Sequence, residues 1–230
     1  MRRHSGLTCR INLIELLRYV EDYVLIKKDS GFPEYAPGSD IDLVVFDREE
    51  AIRSIHSFYE REMGDAAEMK VSDRKAFCHV DFIFAGELDL RVDLIDNFDF
   101  FKNLAVKPSF MVKLFKDRQV ATCCQSQVYV PSDEDELVLR YFEFLEWFDR
   151  RSDKIKHLDY ICAVDDAALK QRFFANTHRF IQFKRKTWPP MGIQPQSREE
   201  ARTMIKSGIR YLTAVTVKGL SSKIGRFFWS

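Results

Sequence analysis

Apolar residues recur at Ile11, Ile14 and Leu17, a spacing that predicts a helix over Leu7–Tyr19. Tyr23-Val24-Leu25-Ile26 follows as a short apolar run and predicts a strand. Residues 29–38 then predict a loop, rich in Gly and Pro. Leu43-Val44-Val45-Phe46 reads as a second, buried strand. Ile52, Ile55 and Tyr59 form one stripe of an amphipathic helix over Glu49–Met63. Its place after a strand suits a strand–helix crossover. Within 79–96, two alternating runs flank Ala85-Gly86-Glu87 and predict a hairpin. Val80, Phe82 and Phe84 share one face, opposite His79, Asp81 and Ile83. Leu88, Leu90, Val92 and Leu94 share another, opposite Asp89, Arg91 and Asp93. Ser109–Phe115 and Gln127–Val130 predict further strands.

The pattern changes at Pro131-Ser132. Ser132 is placed to cap a helix whose first turn holds the acids Asp133 to Glu136, where the helix dipole favours them. That helix continues through Leu137–Trp147. The chain then reads as helical, interrupted at Trp188–Gly192 and Pro195. Two parts follow, residues 1–131 and 132–230. The fold class is α+β, a mixed β-sheet core with a helical C-terminal part.

Composition narrows the classes. At 230 residues with 46% hydrophobic content and 20 Phe, the chain can bury a substantial core. No run approaches the ~20 apolar residues of a membrane span. Met1-Arg2-Arg3-His4 is basic, but no long apolar run follows, so no signal peptide is expected. Five cysteines, odd in number and without C-x-x-C spacing, fit reduced thiols in a cytoplasmic protein and argue against zinc. The adjacent Cys123-Cys124 suits packing or a solvent-facing strand. The net charge of +1 hides an asymmetry. Residues 167–230 hold 13 Lys/Arg and 2 acids, and the remainder holds 23 and 33. A basic C-terminal region suits an anionic partner, either the nucleotide, a glycan or lipid precursor, RNA or a membrane surface; docking on the acidic half is the plainer alternative. Its apolar stripe, Ile205, Ile209, Leu212, Leu220, Ile224 and Phe227, suits internal packing better than peripheral membrane contact.

The chemistry concentrates before the second strand. Asp40-Ile41-Asp42 follows Gly38-Ser39 and precedes the apolar run. Residues i and i+2 of a strand point to one face, so Asp40 and Asp42 project together. Two convergent carboxylates repel, and a hard divalent cation is the usual compensation. Mg²⁺ with carboxylates and substrate phosphates suits phosphoryl transfer, in which two metals clamp the attacking and leaving oxygens.

Gly38-Ser39-Asp40-Ile41-Asp42-Leu43-Val44-Val45 resembles the catalytic signature of the polymerase-beta-type nucleotidyltransferase superfamily. The resemblance covers about residues 20 to 96. It implies a third acid on a later strand, in an apolar-Asp-apolar setting. Val92-Asp93-Leu94 matches best, and Asp81 is the alternative. It further implies a two-metal Mg²⁺ site (or Mn²⁺) on Asp40, Asp42 and Asp93, with a nucleoside triphosphate as substrate. Its nucleoside monophosphate would pass to an acceptor hydroxyl or phosphate, releasing pyrophosphate. Gly38 and Ser39 would meet the triphosphate, and Arg91 a carboxylate or phosphate oxygen. In many members the Gly-Ser element stands farther ahead of the D-x-D strand; here it abuts Asp40, which leaves Ser39 or Ser30 as the phosphate contact. Arg150, Lys154 and His157 fall on one helical face, either a phosphate- or acceptor-binding wall or a solvated basic face. The Lys-x-Lys-His run is similar to one in some small bacterial nucleotidyltransferases. The resemblance leaves the acceptor open; a small molecule or glycan suits a 230-residue chain with no recognisable nucleic-acid module. The alternatives are an enzyme modifying RNA or protein, and a catalytically degenerate nucleotide-binding or scaffold module.

Overall fold

The computed structural model describes residues 10–26, 31–74, 77–147 and 151–184. The chain divides into two units. One comprises residues 10–100 and 108–132, the other 101–107 and 133–184.

In the first unit, helix α1 (Leu13–Tyr19) starts at Leu13, because Asn12 caps it: the Asn12 side chain accepts a hydrogen bond from the Glu15 N–H at 3.2 Å; the expected start at Leu7 lies outside the described residues. Strand β1 (Tyr23–Ile26) is buried throughout. It pairs antiparallel with β2 (Ser39–Val45). Helix α2 (Arg48–Phe58) is capped by Asp47 and widens into a π-helical turn over Tyr59–Met63. Three strands follow, β3 (Glu68–Arg74), β4 (Phe77–Phe84) and β5 (Glu87–Ile95). The sheet order is β1-β2-β5-β4-β3, and only β2–β5 is parallel. The fold is α+β with a mixed sheet. A parallel pair needs a crossover, here supplied by the intervening α2 and the β3–β4 ribbon.

Alternation assigns the two faces. Ile41, Leu43, Val45, Val80, Phe82, Leu90, Val92 and Leu94 point to one side. There they form the core with Leu13, Leu16 and Leu17 of α1 and Ala51, Ile55 and Phe58 of α2. Each large side chain so buried contributes roughly 1.5–3 kcal/mol. Phe58 meets Phe82 edge-on with ring centroids 6.2 Å apart. The residues alternating with them, Asp40, Asp42, His79, Asp81, Arg91 and Asp93, fall on the other side.

The expectation of a strand at Ser109–Phe115 is corrected: Pro108–Lys116 is helix α3. Phe110, Met111 and Leu114 lie at helical spacing and are buried, and Pro108 is suited to a first helical position. Strand β6 (Leu104–Val106) precedes it. The Gln127–Val130 strand exists as β8 (Ser126–Val130) and pairs with β7 (Gln119–Cys123). Cys124 and Gln125 form their turn with φ of +50° and +65°, a twist that matches a two-residue hairpin. Cys123 therefore ends a strand, and Cys124 is exposed in the turn.

The second unit contains α4 (Asp133–Trp147), α5 (Ile155–Ala163), α6 (Ala167–Phe180) and β9 (Ile181–Phe183), which pairs with β6. Segment 101–107 is held here by the β6–β9 pairing and by one carboxylate. Glu146 is fully buried (0% exposed). It accepts hydrogen bonds from the N–H groups of Lys102, Asn103 and Leu104 at 2.8, 2.7 and 3.2 Å. The Asn103 amide donates to the Glu146 carbonyl at 2.8 Å. No helix among the described residues is long and apolar enough to cross a membrane. Arg150, Cys9, Ser30, the interruptions at 188–195 and the stripe at 205–227 lie outside the described residues.

Replacing Glu146 with Gln puts an amide NH₂ against backbone donors. Glu146→Gln is expected to cost about 2–3 kcal/mol in denaturant unfolding, because buried donors lose a charged acceptor. A loss under about 0.5 kcal/mol would show that the segment is held by other means.

Candidate active site

The parallel pairing of β2 with β5 sets Asp42 beside Asp93 and Asp40 beside Arg91. Asp40 and Asp42 share a face of β2, so three carboxylates meet. One ligand oxygen from each of Asp40, Asp42 and Asp93 lies within 4.8 Å of the others. Asp40 is exposed, and Asp42 and Asp93 are half-buried. The third acid of the cluster is Asp93. Asp81 is turned to Arg91, whose Nε and Nη2 donate to its two oxygens at 2.7 and 2.8 Å.

The turn before β2 is held by its backbone. The Gly38 N–H donates to the Asp89 carbonyl at 2.8 Å, and the Ser39 N–H to the Ala36 carbonyl at 3.0 Å. Gly38 has φ +83°, a conformation that costs glycine little and other residues more. The turn therefore presents Ser39 at the start of the Asp40 strand.

His79 on β4 is opposite Asp93, and its Nδ1 lies 2.6 Å from Asp93 Oδ1. The Asp93 carboxyl titrates above the usual carboxylate range. Burial is the main cause, the His79 hydrogen bond opposes it, and the charges of Asp42 and Asp40 add to it. Asp81 is shifted the other way, below the usual range, chiefly by the Arg91 hydrogen bond. Arg91 is raised in turn, by Asp81 and by the negative field of Asp93 and Asp40.

Lys154 and His157 are not on a solvated face. Both lie in the second unit, 8% and 2% exposed. Lys154 Nζ donates to Glu143 Oε2 at 3.0 Å, and His157 Nε2 is 2.7 Å from the same oxygen. The i, i+3 spacing that suggested a presented basic face instead packs both side chains against one acid.

Sequence reasoning placed His79 on the polar side of its strand but gave it no role. It assigned none to Asp89 or Tyr35. The alternation put His79 and Asp93 on corresponding faces; only the β4–β5 register shows that they are opposite each other.

The cluster suits a divalent cation. All its donors are hard oxygens, they converge, and the resulting repulsion is felt at Asp93 as a resisted loss of its proton. Three solved structures have a similar chain path. A candidate nucleotidyltransferase of H. pylori is 10% identical, with TM-score 0.40, covering 73% of this chain and 75% of that one. JHP933 from Helicobacter pylori is 10% identical, with TM-score 0.41, covering 76% and 78%. The Megavirus polyadenylate synthase is 10% identical, with TM-score 0.33, covering 72% of this chain and 33% of that one. The likeness is one of chain path, and the chemistry rests on the carboxylates themselves. No family model and no curated protein matches the sequence.

A raised Asp93 holds its proton longer when folded than when unfolded. That proton stabilises the metal-free fold below the ordinary carboxylate pKa, and the contribution is lost as pH rises through the raised value. Stabilisation by Mn²⁺ or Mg²⁺ competes with the same proton. It should grow between about pH 4 and pH 7, read as a thermal shift. Asp42→Asn relieves the repulsion, so it should raise metal-free stability by about 1 kcal/mol and remove the metal-induced shift. A metal shift that survives in Asp42→Asn would exclude the cluster as the cation site.

Proposed function

We propose that the protein is a metal-dependent nucleotidyltransferase, moving a nucleoside monophosphate from a nucleoside triphosphate to an acceptor and releasing pyrophosphate. The observation that carries this reading is the convergence of Asp40, Asp42 and Asp93 beside the Gly38-Ser39 turn.

Bound Mg²⁺ or Mn²⁺ ions would supply Lewis-acid polarisation and charge neutralisation at the phosphates. Asp40 and Asp42 would hold both ions, and Asp93 would complete one site. The acceptor hydroxyl oxygen attacks the α-phosphorus. The bond to the bridging α–β oxygen breaks, and pyrophosphate leaves with that oxygen. The acceptor proton would pass to the Asp93 carboxylate, which stands at the site as its base. His79 occupies Asp93 Oδ1 and fixes the carboxylate plane. The Ser39 hydroxyl contacts the terminal phosphates. Arg91 stays on Asp81 and lends positive charge to the face on which they lie. Positioning and electrostatics do most of the work, as is general for phosphoryl transfer.

The acceptor we favour is a small molecule or anionic glycan precursor. A second reading, a nucleotide-binding module without turnover, draws on the Gly38-Ser39 turn abutting Asp40, which leaves little loop to cradle a triphosphate. Label transfer and pyrophosphate release, with each of four radiolabelled triphosphates and Mg²⁺ or Mn²⁺, separate the readings. The pooled acceptors are sugars, aminoglycosides, RNA and cell-envelope extract. Transfer is expected in the wild-type protein and at least 10³-fold less in Asp42→Asn, in line with loss of a transition-state electrostatic contact. Nucleotide binding without transfer in any pool favours the binding module. Transfer retained by a folded Asp42→Asn removes the three carboxylates as the site of the reaction, and the assignment with them.

A further inference from the structure

Asp89 is a buried carboxylate (4% exposed) that the chemistry above does not use. Burying a carboxylate is costly unless hydrogen bonds compensate. Its partner is Tyr35, in the loop ahead of β2, whose hydroxyl donates to Asp89 Oδ2 at 2.6 Å. The same hydroxyl accepts from the Ile11 N–H at 2.8 Å. Asp89 also acts through its backbone, since its carbonyl accepts from the Gly38 N–H.

The position of Asp89 in β5 explains the double grip. The β4–β5 register shifts here: Phe82 faces Leu90 and Ile83 faces Leu88, so Asp89 is the extra residue of a bulge. A bulge re-aims a side chain and releases backbone groups from the ladder. Ser39 pairs with Leu90, so the bulge sits where β2 begins to pair with β5. One residue thereby holds the loop at Tyr35 with its carboxylate and at Gly38 with its carbonyl. Asp93 is four residues farther along the same strand.

We propose that Tyr35 and Asp89 are positioning residues, a clasp that sets the Gly38-Ser39 turn against β5 so that the Ser39 hydroxyl meets the triphosphate at a fixed place beside the carboxylates. The triphosphate as ligand rests on the nucleotidyl-transfer reading; the clasp itself rests on the hydrogen bonds. The clasp also accounts for an abbreviated loop. A short turn held from below by a buried acid is ordered before the nucleotide arrives, which spares ordering cost on binding.

The test uses Tyr35→Phe, Asp89→Leu and Asp89→Asn in the full chain. Amide hydrogen exchange is followed over residues 31–42, and steady-state kinetics with Mg²⁺ and each of the four triphosphates. Tyr35→Phe and Asp89→Leu are expected to speed exchange at Gly38 and Ser39 about tenfold. They should raise KM for the triphosphate about tenfold and leave kcat within about twofold, the pattern of lost ground-state binding. Asp89→Asn keeps a carbonyl acceptor for Tyr35 and should recover most of the effect. The Mn²⁺-induced thermal shift should be unchanged throughout, because the three ligand acids are intact. If Asp89→Leu does not fold, Tyr35→Phe carries the test alone, since it removes one oxygen. Unchanged exchange in Tyr35→Phe, with triphosphate binding intact, overturns the clasp alone. A fall in kcat and the metal shift together with KM overturns the positioning role in favour of a general packing one. If the wild-type protein binds no triphosphate, the nucleotidyl-transfer reading fails, and the triphosphate fails as the clasp's ligand.

Discussion

The candidate site depends on the parallel pairing of β2 with β5. Its register sets Asp42 opposite Asp93 and lets Asp40 project beside them. Side-chain direction alternates along a strand, so a slip of one residue would move Asp93 to the apolar face and bring Val92 or Leu94 to the acids. The register is held from behind. Ile41, Leu43 and Val45 of β2, and Leu90, Val92 and Leu94 of β5, contribute to the core beneath the sheet. The same packing that makes the core thus pays for gathering like charges in front of it.

Three acids show three solutions to burying a carboxylate. Glu146 is fully buried, and backbone N–H groups converge on it. It is a structural anion, tying segment 101–107 to α4. Asp89 takes a tyrosine hydroxyl and lends its carbonyl to a glycine amide. Asp93 differs. His79 favours its charge, while burial and the neighbouring Asp42 and Asp40 oppose it more strongly. A carboxylate left with a net penalty is what a cation-binding site requires, because metal binding then relieves a repulsion that folding created.

The polar face of the sheet also sorts its cations. Arg91 is engaged with Asp81 and shifts that acid down, while the field of Asp93 and Asp40 raises Arg91 itself. Asp81 and Asp93 lie on adjacent strands with similar surroundings in sequence, yet end with opposite shifts. Lys154 and His157, read from spacing as a presented basic face, share Glu143 inside the second unit. A charge at helical spacing marks a face; only packing decides whether that face meets solvent or an acid.

Much of the site was legible in the chain. Gly38-Ser39-Asp40-Ile41-Asp42 followed by an apolar run marked two acids on one side of a strand, because alternation is a local property. The 79–96 hairpin was equally local, its turn falling between two clean alternations. Other elements were hidden by composition or by distance. β3 is a polar, largely exposed edge strand with no apolar alternation to betray it, and the β7–β8 turn uses Cys124 and Gln125 in place of Gly or Asn. Helix α3 was misread as a strand, since a short apolar run fits both periods until neighbours choose its buried side. The sequence by itself determined which residues could serve as ligands and which faces were apolar, through spacings of a few residues. The apolar-Asp-apolar setting already favoured Asp93 over Asp81; tertiary structure decided between the two, and it alone showed that His79 supports Asp93 and that Asp89 reaches the Tyr35 loop. Those depend on strand order, register and a bulge, which are set by packing between segments far apart in the chain.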